Sequence, residues 1–146
     1  MAGQRIQVKV SETGQGPFSV RIDAGGHDLT GDEPVEAGGG GLGPNPFGLL
    51  TSALAECTVM TVRWYARQKR WPVEHVAVTV DYAKKRAENA SSLVDEKTVF
   101  IRGPQLTREH LNQLIDIAAK CPVQRVLEGS PSIETQLGAT TGQAAE

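Results

Sequence analysis

The chain has 146 residues, 39% of them hydrophobic and 22% charged, with a formal net charge of -2. That length suits one domain with a real core, and that balance is ordinary for a globular protein. The charge excludes nucleic acid and anionic membrane as the expected partners, and no apolar run approaches the roughly 20 residues of a membrane span.

The chain starts "MAGQRIQVKV" and lacks a basic region followed by an apolar one, so a cytoplasmic location is the default expectation. Thiols are normally kept reduced there. Residues 4–10, "QRIQVKV", alternate polar and apolar and predict a strand. "GQGP" (14–17) is turn chemistry, "FSVRID" (18–23) predicts a returning strand, and Gly25-Gly26 turns into "HDLT" (27–30). Together these form a small meander. Residues 31–46 predict a loop, with seven glycines or prolines within 38–46.

Residues 47–70, "FGLLTSALAECTVMTVRWYARQKR", predict the longest helix. Leu50, Leu54, Cys57, Thr61 and Trp64 fall on one helical stripe, widened by Leu49, Ala53, Met60 and Tyr65. The first four turns carry Glu56 as their one charge, so the front half should be buried nearly all round. "HVAVTVDYA" (75–83) and "KTVFIRG" (97–103) predict strands around a polar loop at 84–96. Leu106 and Leu111 flank Thr107 as a hydrophobic staple around a threonine N-cap. A helix then runs over 108–120, and a short one over 122–128 begins at Pro122 and ends before Gly129. "SIETQL" (132–137) predicts an edge strand, and 138–146 a frayed tail, leaving 1–137 as a single domain. Strands, long helix, strands, helices is an α+β order.

Three chemistries suggest themselves. The glycine run is no phosphate loop, because no Lys-Ser or Lys-Thr follows it. His27, His75 and His110 and two cysteines are too scattered for a metal site, and no cofactor is expected. The cysteines carry more. By periodicity alone Cys57 reads first as a small core residue, a role free cysteine fills often. Cys121 precedes Pro122, which biases it away from helical dihedrals and into the N-cap of the short helix. A thiol there meets free backbone N–H groups that favour thiolate. Both sulfurs lie on apolar faces, so the two helices could bring them within bonding range as a redox pair.

"GGHDLTGDEPVEAGGGGLGPNPFGLLTSALAECTVMTVRWYARQKRWPVEHVAV" (25–78) and "LTREHLNQLIDIAAKCPVQRVLEGSPSIET" (106–135) resemble the OsmC/Ohr family, and in particular its general OsmC-like branch. These are osmotically induced and organic-hydroperoxide-resistance proteins. The resemblance implies an α+β fold of antiparallel sheets wrapped around two long central helices in an intertwined homodimer. It implies reduction of an organic hydroperoxide, with Cys57 as peroxidatic nucleophile, Cys121 as resolving residue, and an external dithiol as reductant. The alternative is a non-peroxidase dimer that binds a small apolar or thiol ligand or senses redox state.

Leu50, Leu54, Met60 and Trp64 would line an apolar substrate pocket. Arg21 lies where the family draws its arginine, with Arg63 and Arg125 as the other candidates; it could come from the partner subunit. Active peroxidases of the family place a glutamate soon after the Asn-Pro at the helix start, where this sequence has Phe47 and Gly48. Glu56 points about 100° away from Cys57 on the helix, and its charge opposes a thiolate.

Overall fold

The computed structural model describes residues 5–83 and 94–139. The predicted loop at 84–96 and the tail at 138–146 fall mostly outside the described residues.

The N-terminal meander forms as an antiparallel sheet of β1 (Val8–Glu12), β2 (Val20–Ala24) and β3 (His27–Gly31). Its first strand sits later than the alternation of 4–10 predicts. The turn decides this: Thr13 N–H donates to Ser19 O at 3.0 Å, and the ladder then pairs Glu12 with Val20 and Val8 with Ala24. At the second turn Gly25 and Gly26 take φ of 59° and 83°, a region that glycine adopts without steric cost.

The glycine-rich loop holds one 3-10 turn, Val35–Ala37, and is tied down by Asp32. That buried carboxylate accepts from the N–H groups of Glu33, Gly40 and Leu42 at 2.7, 3.1 and 3.2 Å. The loop is thus shaped around a carboxylate of its own chain.

The long helix α1 spans Pro46–Lys69. Pro46 suits its first position, and Asn45 caps it by accepting Gly48 N–H at 2.8 Å. Arg70 ends it in a left-handed conformation at φ 57°. A hairpin of β4 (His75–Tyr82) and β5 (Val94–Arg102) follows, antiparallel, with Val80 opposite Lys97 and a register shift at Asp81/Tyr82. Helix α2 (Arg108–Ala118) starts at the expected Thr107. Its hydroxyl accepts His110 N–H, and the His110 ring accepts Thr107 N–H in return. Helix α3 spans Pro122–Glu128.

The core lies between α1, α2 and the β4–β5 hairpin. Val62, Ala66, Val73, Val76, Leu114 and Ala118 are buried together, with Val59, Tyr65, Trp71 and Val99 packed against them. The face of α1 turned inward is Thr51, Leu54, Thr58, Val62 and Ala66. Of the predicted stripe, only Leu54 belongs to it. Trp64 is 61% exposed, Met60 60%, and Leu50 lies at the surface. The helix is apolar on both sides, and one chain covers one of them.

Residues 132–137 form no strand. The segment is irregular, with Ile133 and Leu137 exposed. Alternation marks a strand's preference, but a strand needs a ladder to receive its N–H and C=O groups, and no described strand pairs with this one.

Candidate active site

Both cysteines are free thiols, on segments that the fold brings together. Cys57 sits in mid-α1, half-buried, one residue before the fully buried Thr58. Cys121 is fully buried. Pro122 holds it extended at φ -63° and ψ 146°, as the N-cap of α3, and its Sγ accepts Gln124 N–H at 3.4 Å. The Cys57 thiol lies close enough to favour ionisation of the Cys121 sulfur.

A third partner comes from the inner face of α1. The Thr58 hydroxyl, completely buried, lies 2.8 Å from Leu54 O and 3.5 Å from Cys121 Sγ, as donor to both. It has one proton for two acceptors, so its donation is shared between carbonyl and sulfur.

The residue that sequence reasoning missed is Lys97. Its side chain crosses from β5 to the thiol cluster, where Nζ donates to Thr58 Oγ1 at 3.1 Å, to Ala118 O at 2.8 Å and to Gln124 Oε1. An ammonium has three protons, and all three are used. Ala118 ends α2, where the helix dipole presents its negative end to a cation. Among the described residues every buried side-chain nitrogen and oxygen has a partner.

The electrostatics follow from this packing. Burial pushes the Cys121 thiol up. The Thr58 hydroxyl, the Gln124 N–H, the Cys57 thiol and the Lys97 charge together outweigh burial and hold Cys121 below the ordinary thiol value. Burial likewise lowers the Lys97 ammonium, against the pull of Cys121, Cys57 and Glu128, and leaves it below the ordinary lysine value. The packing therefore eases ionisation of the Cys121 sulfur, while burial makes the Lys97 charge harder to hold.

Beside Cys57 lies an open cleft of about 560 Å³. Its walls are mostly apolar: Ala53, Met60 and Trp64 from α1, and Pro122 and Val123 from α3, with Glu56 and Thr61 lining it as well. Two of the four predicted pocket residues, Met60 and Trp64, line this cleft. Leu54 faces the core instead, and Leu50 is not among the lining residues.

The arginines lie elsewhere in this chain. Arg21, on β2, donates through Nε and Nη2 to Asp28 Oδ1 at 3.0 and 2.7 Å, both side chains exposed. Arg63 donates to Val73 O at 2.8 Å, and Arg125 is exposed on α3. At the helix start the region of Phe47 and Gly48 is organised by Asn45, whose Oδ1 accepts both Gly48 N–H and the Tyr82 hydroxyl.

Among the described residues no group of three or more His, Cys, Asp and Glu could hold a metal ion, and no helix is long and apolar enough to cross a membrane.

The family model described as OsmC-like protein matches residues 38–136, which include both cysteines and Lys97. No curated protein matches the sequence. Among solved structures the chain is similar to an OsmC-like protein from Mycoplasma pneumoniae, with 19% identity, TM-score 0.66, and 86% of this chain and 89% of that one covered. It is similar also to an organic hydroperoxide resistance protein from Legionella pneumophila (22% identity, TM-score 0.59, 88% and 93% covered). A third is the organic hydroperoxide resistance protein OhrB of Bacillus subtilis (20%, 0.56, 86% and 92%). At these identities the likeness concerns the fold: antiparallel sheets with a long helix and two shorter ones. The chain belongs to the OsmC-like protein family and has its α+β fold.

Proposed function

We propose that the chain is a thiol-dependent peroxidase that reduces organic hydroperoxides to alcohols in defence against oxidative stress. The observation that carries this reading is a free Cys57 at the wall of an apolar cleft, with the free, buried Cys121 close enough to act on it. In this reading Cys57 attacks the terminal oxygen of the hydroperoxide. The O–O bond breaks, the alkoxide leaves and is protonated to the alcohol, and Cys57 becomes a sulfenic acid. Cys121 attacks that sulfur, hydroxide leaves, and a Cys57–Cys121 disulfide remains. An external dithiol reduces it by exchange. The cleft's apolar walls favour an alkyl or aryl peroxide over hydrogen peroxide.

The working unit is a homodimer. Met60 and Trp64 are too exposed for large apolar residues flanking a reactive thiol, and the meander leaves Val8, Val10, Phe18 and Leu29 about half exposed. A second copy laid over these surfaces would bury them and close the cleft. It could also deliver Arg21 from its own meander to Cys57. The setting is cytoplasmic, where a dithiol reductant is available.

The test is stopped-flow reaction of the reduced protein with cumene hydroperoxide. Saturable thiol loss that disappears in Cys57→Ser and slows in Arg21→Met is expected. Slow loss without saturation, unchanged in Cys57→Ser, would leave a protein that binds a small apolar or thiol ligand without reducing it.

A further inference from the structure

Lys97 lies on a strand outside the sequence features that mark the thiol pair, and yet it ends among the groups that surround Cys121. Its three hydrogen bonds join three elements: Thr58 of α1, the last carbonyl of α2, and Gln124 of α3. Two of these partners also donate to the Cys121 sulfur. Thr58 does so through its hydroxyl, whose lone pair Lys97 occupies, so that its proton is turned toward the sulfur and Leu54 O. Gln124 does so through its backbone N–H, while Lys97 clamps its side-chain oxygen. Among the described residues, the ionisable groups acting on this corner are Cys57 of α1, Cys121 itself, Glu128 of α3 and Lys97 of β5.

We propose that Lys97 is a positioning residue of the thiol pair, which makes Cys121, the buried sulfur, the resident thiolate and so the proton acceptor for Cys57. This assignment rests on the thiol-peroxidase reading and adds to it an account of how Cys57 is armed. In the resting protein the Cys57 thiol donates to the Cys121 thiolate. When a hydroperoxide enters the cleft, that proton passes from Cys57 to Cys121. The Cys57 thiolate attacks the terminal oxygen and releases the alkoxide, which takes the proton from Cys121 and leaves as alcohol. Cys121, a thiolate again, attacks the Cys57 sulfenic sulfur and expels hydroxide. The sum is one thiol, one thiolate and one hydroperoxide giving one disulfide, one alcohol and one hydroxide. Two electrons move from the sulfurs to the O–O bond. Arg21, if the partner brings it, would act on Cys57 and the peroxide; Lys97 acts on Cys121.

The test uses no peroxide, so its failure is distinct from failure of the peroxidase reading. In a Cys57→Ser background the one remaining thiol is Cys121, and its ionisation is followed by thiolate ultraviolet absorbance against pH. With Lys97 present the midpoint should lie below that of the same protein unfolded in urea. Lys97→Met should raise it by about one unit, about tenfold less thiolate at a pH below both midpoints. Lys97→Arg, keeping the charge, should restore most of the difference. An unchanged midpoint in Lys97→Met would overturn the proposal. So would an equal shift in Lys97→Met and Lys97→Arg, because packing and not charge would then explain it. If Lys97→Met fails to fold, a Cys121 midpoint in the Lys97 protein equal to its urea-unfolded value would overturn the proposal by itself.

Discussion

Replacing Thr58 by valine isolates one hydroxyl of the site. The side chain is completely buried and the two residues have similar shapes, so no large cavity opens. What is lost is one acceptor for the Lys97 ammonium, at 3.1 Å, and one donor to Cys121 Sγ, at 3.5 Å. Hydrogen bonds to charged groups contribute about 1.5–3 kcal/mol. The sulfur contact is long and shares its proton with Leu54 O, which places it at the low end. One unit of ionisation is about 1.4 kcal/mol, so the Cys121 midpoint should rise by about one unit. The orphaned ammonium proton should also cost about 1–3 kcal/mol of stability. The assay is the iodoacetamide alkylation rate of Cys121 against pH, in a Cys57→Ser background, beside urea unfolding. Thr58→Ser keeps the hydroxyl and should stay near the parent. Coincident pH profiles for valine and threonine would refute the claim that Thr58 stabilises the charged sulfur.

Leu114→Ala should lose about 2–5 kcal/mol in urea unfolding, because Leu114 is fully buried at the junction of α1, α2 and β4; a loss under 1 kcal/mol, within the scatter of surface substitutions, would misplace the core. Met60→Glu puts a charge on the uncovered side of α1 and should give monomers in sedimentation velocity at concentrations where the parent is dimeric. A dimer of unchanged strength would show that this face is not the contact. Stability should also depend on pH in a defined direction. The folded Cys121 thiol ionises below its unfolded value, so between the two the unfolded chain binds more protons and stability rises with pH. That contribution is lost as pH falls through the folded value. Urea midpoints under reducing conditions should therefore show the parent's advantage over Cys121→Ala widening toward alkaline pH; a gap that narrows there would reverse the assigned shift.

The parts legible in the sequence were those governed by local rules. Pro122 forces Cys121 out of helical dihedrals, so its N-cap position follows from two adjacent residues. Thr107 and Gly25-Gly26 mark their cap and turn in the same way, whereas Asn45-Pro46, the actual start of α1, falls at the end of the predicted loop. Which face of α1 the chain buries was not legible, because Thr51 and Thr58 are polar by composition and lie inward, while Met60 and Trp64 are apolar and lie outward. Periodicity finds a stripe but cannot tell an intramolecular face from one left for a second copy. Lys97 was hidden for a related reason. A lysine in an alternating strand reads as a solvated side chain, and its route to Thr58, Ala118 and Gln124 depends on how four elements pack. Residues 132–137 had the pattern of a strand, but no strand among the described residues pairs with them.

The central claim is that Cys57 and Cys121 form one redox unit that reacts with organic peroxide. It is tested most directly by adding one equivalent of cumene hydroperoxide to the reduced protein, trapping residual thiols, and mapping the products by mass spectrometry. The account predicts a Cys57–Cys121 disulfide with one equivalent of cumyl alcohol, and in Cys121→Ser a Cys57 sulfenic acid that forms more slowly and persists. Two free thiols and intact hydroperoxide at the end of the reaction would contradict it.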